Sequence, residues 1–177
     1  MPESKAASNN NLWKRNKDFN ALAPFFREIL IRVISECVKE GLNIDMIEGY
    51  RSPDRQAYIY EEGRVRPGQN VTKEKPMGSK ATNALPWQSW HQYGLAADLA
   101  FYTDKGVPYF PPKDDPRWDQ MQAIAVHHGL EPLSFEKPHV QIRGGLHHTE
   151  AYRIYQKQGM LALWDIAEKG FRLTLHP

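Results

Sequence analysis

Apolar residues at Leu22, Phe25, Phe26, Ile29, Leu30, Val33, Ile34 and Cys37 recur at three- and four-residue steps and stop before Gly41. That period puts one wide buried stripe along a helix, and such a stripe needs a second layer to pack against. Asn43 to Tyr50, Leu95 to Tyr102 and His139 to Arg143 read as short strands, and Asp104-Lys105-Gly106 reads as a turn leading to Val107–Phe110. Ser52-Pro53 and Asp115-Pro116 each set an N-cap before a first-turn proline, so helices are expected to about Glu62 and to His128, before Gly129. After Thr149 one or two more helices should follow, broken at Gly159. Helices on a small, mainly antiparallel sheet make an α+β domain.

At 177 residues and 20.4 kDa the chain can bury a core large enough to stand without metal or disulfide support. Residues 1–145 read as one domain with a loose tail and first turn over 1–17, and residues 146–177 as a helical extension packed on it. The formal net charge of +2 is too small to argue for nucleic acid. The cations Arg64, Arg66, Lys73, Lys75 and Lys80 lack the interleaved aromatics of a single-strand binder. No apolar run is long enough to span a bilayer, and MPESKAASNNNL lacks the core of a secretory signal. Gly63 to Trp87 is long for a connection and is expected to form a rim that orders on substrate.

The single cysteine, Cys37, lies on the helical stripe and is expected to be a buried small hydrophobe. With one cysteine, any metal must rest on His, Asp and Glu. Two clusters offer them: Ser89-Trp90-His91-Gln92-Tyr93-Gly94-Leu95-Ala96-Ala97-Asp98 and Glu136-Lys137-Pro138-His139-Val140-Gln141. Two histidines and an aspartate are a sound three-ligand set for zinc with a fourth position open, which leaves Glu136 free to act as a base. His127-His128 and His147-His148 read as ordinary helix-end histidines.

In combination these motifs resemble the zinc D-Ala-D-Ala carboxypeptidase and L-alanyl-D-glutamate endopeptidase family, the peptidoglycan peptidases of bacterial walls and phage endolysins. Gly49-Tyr50-Arg51-Ser52-x-x-x-Gln56 is similar to a third motif of that family, and the likeness covers about residues 18–143. The resemblance implies one zinc ion on His91, Asp98 and His139, Glu136 as general base, and Arg51 against substrate and the charge developing on its carbonyl. It also implies substrate contacts near Gln56 and Ser89. Pro138, where the carboxypeptidases tend to carry Trp, points to the endolysin-type endopeptidases and to the L-Ala–D-Glu bond. The alternatives are a D-Ala-D-Ala carboxypeptidase and a non-hydrolytic zinc-containing binding module like the hedgehog domains. The partner expected is the peptidoglycan stem peptide, and no nucleic acid is. The protein is expected to be a monomer, made in the cytoplasm and acting at the cell wall after release or export.

Overall fold

The computed structural model describes residues 12, 14–62, 64 and 81–175. Helix α1 spans Pro24–Lys39 and buries Phe25, Phe26, Leu30, Val33 and Cys37, the stripe read from the sequence. Burial pushes the Cys37 thiol up to about 11, so it packs as an inert apolar group. Strand β1 (Ile44–Glu48) follows, and then α2 (Pro53–Glu61), where the Ser52 hydroxyl accepts from the Arg55 amide. A short 3-10 turn, Trp90–Tyr93, leads into β2 (Ala96–Tyr102), which pairs with the two-residue β3 (Pro108–Tyr109). Helix α3 (Pro116–His127) is capped by Asp115 as expected. The chain closes with β4 (Glu131–Leu133), β5 (Glu136–Gln141), α4 (His148–Gln158) and α5 (Met160–Leu175).

The sheet is antiparallel in the order β1-β2-β5-β4, with β3 also on β2. Five helices and this sheet give the expected α+β class among the described residues. Two details depart from the sequence reading. Strand β4 was not expected, because Pro132 interrupts a three-residue run. Strand β5 starts at Glu136 rather than His139, and its pairing with β4 shifts register between Pro132 and Leu133. Pro138 is tolerated in a central strand because it lies in this irregular stretch, before pairing with β2 begins at His139.

Helices α4 and α5 pack on each other and on the sheet domain. Leu163, Ala167 and Phe171 join the main core, and Trp164 Nε1 donates to the Tyr93 carbonyl at 2.6 Å. The contact is close enough that a Cβ on Gly170 would fall 2.0 Å from the Gly144 carbonyl oxygen, so only glycine fits there. No described helix is long and apolar enough to cross a membrane.

Candidate metal centre and cleft

Sheet register brings the carboxylates and one imidazole side by side. Glu48 on β1 faces Asp98 on β2, and Asp98 faces His139 on β5. A register shift between Met46 and Glu48 is what sets Glu48 opposite Asp98. His91 arrives from the 3-10 turn, which ends on Gly94 in the left-handed conformation, φ 65°. A side chain there would press on the Ala21–Ala23 backbone, whose Ala23 amide donates to the Gly94 carbonyl at 2.9 Å. The turn carrying His91 is thereby pinned to the start of α1.

His91, Asp98 and His139 offer ligand atoms that all lie within 4.8 Å of one another. His91 Nε2 and His139 Nδ1 lie 3.4 and 3.1 Å from the same oxygen of Asp98. The outer nitrogens are already engaged: His91 Nδ1 meets the Gly49 carbonyl at 2.6 Å, and His139 Nε2 meets Gln141 Oε1 at 3.0 Å. A carbonyl can only accept, so each outer nitrogen carries a proton, and each inner one is left to present a lone pair to a metal ion or, without one, a second proton to Asp98. Two lone pairs and a carboxylate facing one another need a positive charge between them. The donor set therefore fits a metal ion. In the metal-free chain the same geometry falls to protons. Burial alone would raise Asp98 and lower His139, but their mutual attraction, with His91 beside Asp98, wins. It holds Asp98 well below the usual carboxylate range and raises His139.

Behind the triad sits a buried polar network. Arg51 Nη2 donates to Glu48 at 2.8 Å and to Asp98 at 3.1 Å, and Nη1 donates to Gln56 at 3.0 Å. Glu48 also takes the Arg55 guanidinium. Burial pushes the Glu48 carboxyl up, yet Arg55 and Arg51 outweigh that and hold it below its ordinary value. Gln56 is fully buried and saturated: it also accepts from Gln92 at 3.2 Å and donates to the Ala84 carbonyl at 2.6 Å. Gln56, expected with Ser89 near the substrate, thus stands behind Arg51 with its side chain buried. Ser89 lines the cleft, but its hydroxyl caps the 3-10 turn by accepting from the His91 amide at 3.4 Å.

Two adjoining cavities of about 620 and 630 Å³ form the cleft and share Arg51, Ala81, Thr82, Phe110, Glu136 and Pro138. Asp98 lines the first, and His91 and His139 line the second, so the triad marks their junction. Glu136 is exposed on the wall common to both, near enough for its charge to act on His139 and Arg51. Sequence reasoning missed Glu48, Gln92 and Gln141 as supports of the site. Gln92 carried a signal, since Ser89-x-x-Gln92 is a capping box that the structure forms. Of the long connection, residues 63 and 65–80 lie outside the described residues, with Arg66, Lys73, Lys75 and Lys80. Arg64 is described and is turned to its own neighbours, over the Tyr60 ring at 3.8 Å and onto the Thr82 carbonyl at 2.7 Å. His128 pairs with Glu36 at 2.7 Å and His147 caps α4, both away from the triad set.

A strand-borne carboxylate and two oriented imidazoles at the centre of a cleft, with a further carboxylate on its wall, define a hydrolase architecture whose triad could hold a metal ion. Residues 20–144 match the family model VanY, D-alanyl-D-alanine carboxypeptidase. The chain belongs to that family, and it is a peptidase of the kind that acts on peptidoglycan. The resemblance read from the three motifs holds.

Proposed function

We propose that this chain is a zinc-dependent endopeptidase that cuts the L-alanyl-D-glutamate bond of the peptidoglycan stem. The observation that carries the reading is the two-sided cleft. A carboxypeptidase closes one end around a terminal carboxylate, whereas here two cavities meet at the triad, one lined by Asp98 and the other by His91 and His139. Pro138, beside the last of these ligands, is smaller than the Trp of the carboxypeptidases and leaves chain on either side of the scissile bond more room.

Bound by His91 Nε2, Asp98 and His139 Nδ1, a zinc ion would polarise the scissile carbonyl and lower the pKa of a water toward about 7. Gly49 and Gln141 hold the two imidazoles in the tautomers that this binding needs. Glu136 accepts the proton of the attacking water on its carboxylate and delivers it to the leaving amine nitrogen. Arg51 contributes a fixed positive charge on the cleft wall, where the carbonyl oxygen becomes an anion. Its Nη2 hydrogens are engaged by Glu48 and Asp98 and one Nη1 hydrogen by Gln56, which leaves the second Nη1 hydrogen, the buried and unpartnered Nε–H, and its charge. The reading puts the site of action at the bacterial cell wall, as a lytic enzyme of endolysin type.

The family match favours a second reading, removal of a terminal D-Ala. Incubating the zinc-loaded protein with a defined stem peptide and sequencing the products separates the two. Scission after L-Ala is expected. Release of D-Ala alone supports the carboxypeptidase, and no scission at all removes both readings.

A further inference from the structure

We propose that the N-terminal segment around Arg15 forms a carboxylate-binding subsite of the cleft, with Arg15 as the residue that selects an anionic peptide. The segment precedes residue 20, where the family match begins, and lies in the stretch expected to be a loose tail. It is instead tied down. The Gly49 amide donates to the Asn16 carbonyl at 2.7 Å, the Asp18 amide to Asn16 Oδ1 at 2.8 Å, and Lys17 Nζ to the Tyr102 hydroxyl at 3.2 Å. Arg55 holds the Leu12 carbonyl. Gly49 is also the residue whose carbonyl orients His91, so the segment is anchored on the same residue that supports the triad.

This anchoring sets Lys14, Arg15 and Lys17 on the wall of the cavity that Asp98 and Glu136 line. The Arg15 guanidinium lies 5.8 Å from the centre of the Phe110 ring, and Phe110 lines both cavities. A cation held over an aromatic face keeps a defined place even where it is solvated. The charge balance of the lobe is favourable. Its wall carries the cations Lys14, Arg15, Lys17, Arg51 and Arg55 against the acids Glu48, Glu62, Asp98 and Glu136, an excess of one positive charge. The other lobe has Trp90, Trp118 and Phe135 in its wall. The planar fork of an arginine suits a carboxylate better than an ammonium does. The ligand is therefore a peptide carrying a free carboxylate in this lobe.

The inference rests on the stem-peptide reading above, and the test keeps the two apart. Two stem peptides are compared by calorimetry, one with its glutamyl carboxylate free and one with that group amidated. They are titrated into the zinc-loaded Glu136→Gln protein, with and without Arg15→Gln or Arg15→Lys, while cleavage of both is followed with the otherwise unaltered enzyme. A solvent-exposed charge pair supports a preference of about fivefold for the free carboxylate. Arg15→Gln should abolish that preference by weakening only the carboxylate peptide, and Arg15→Lys should keep part of it. An unchanged preference in Arg15→Gln, or equal weakening of both peptides, overturns the subsite while cleavage by the unaltered enzyme leaves the stem-peptide reading standing. Failure to bind or cleave either peptide overturns both.

Discussion

An imidazole whose outer nitrogen is committed to an acceptor has only one nitrogen left to present, and this holds for both histidines of the cleft. Gln141 does for His139 what the Gly49 carbonyl does for His91, being two residues along the same strand and so on the same face. Gln141→Ala should weaken zinc binding about 10- to 100-fold with all three ligands intact, as read by competition with a chelator. Glu136 has the opposite profile. Glu136→Gln should keep zinc while the rate falls at least ~100-fold, and loss of zinc together with activity would make Glu136 a ligand instead. Glu48 acts through charge. Its folded pKa is depressed by Arg55 and Arg51, so its stabilising contribution is complete above its unfolded value, about 4.3, and fades as pH falls through the folded value. The melting-temperature gap between the protein and Glu48→Gln should therefore be widest near neutral pH and shrink on acidification below about pH 4. A gap independent of pH would mean that Glu48 matters for shape, not charge.

At the level of elements, what was legible in the sequence was local. Ser52-Pro53 and Asp115-Pro116 gave the starts of α2 and α3 because capping is settled within one turn. The stripe from Leu22 to Cys37 gave α1 for the same reason. The missing pieces were set by other parts of the chain: β4 exists through pairing with β5, and Glu48 meets Asp98 only because β1 shifts register. Of the candidate site, the motif residues His91, Asp98, His139 and Glu136 could be named. The hydrogen-bond network of Gln56 could not, since its four partners come from separated segments. The α4–α5 hairpin, beyond the family match, braces the turn that carries His91. Trp87 has φ 69°, stacks on Tyr155 at 4.7 Å and accepts the Tyr93 hydroxyl at 2.8 Å, while Trp164 holds the Tyr93 carbonyl. Trp164→Phe leaves that carbonyl without its partner and should cost about 1–3 kcal/mol, visible as a lowered urea midpoint. An unchanged midpoint would show that the hairpin is held by its apolar contacts alone.

For the molecule as a whole, three adjacent strands carry the polar spine Glu48, Asp98 and His139, a 3-10 turn adds His91, and α2 buttresses them through Arg55 and Gln56. The terminal segments, both beyond the family match, close on this centre from two sides, the N-terminal one at Gly49 and the C-terminal one at Tyr93. In the function proposed, His91, Asp98 and His139, whose ligand atoms lie within 4.8 Å of one another, hold one metal ion. The most direct test is metal analysis of the purified protein beside His91→Ala, His139→Ala and Glu136→Gln. One zinc per chain in the protein and in Glu136→Gln, with little or none in the two histidine variants, is the result expected. Full zinc content in both histidine variants would contradict the account at its centre.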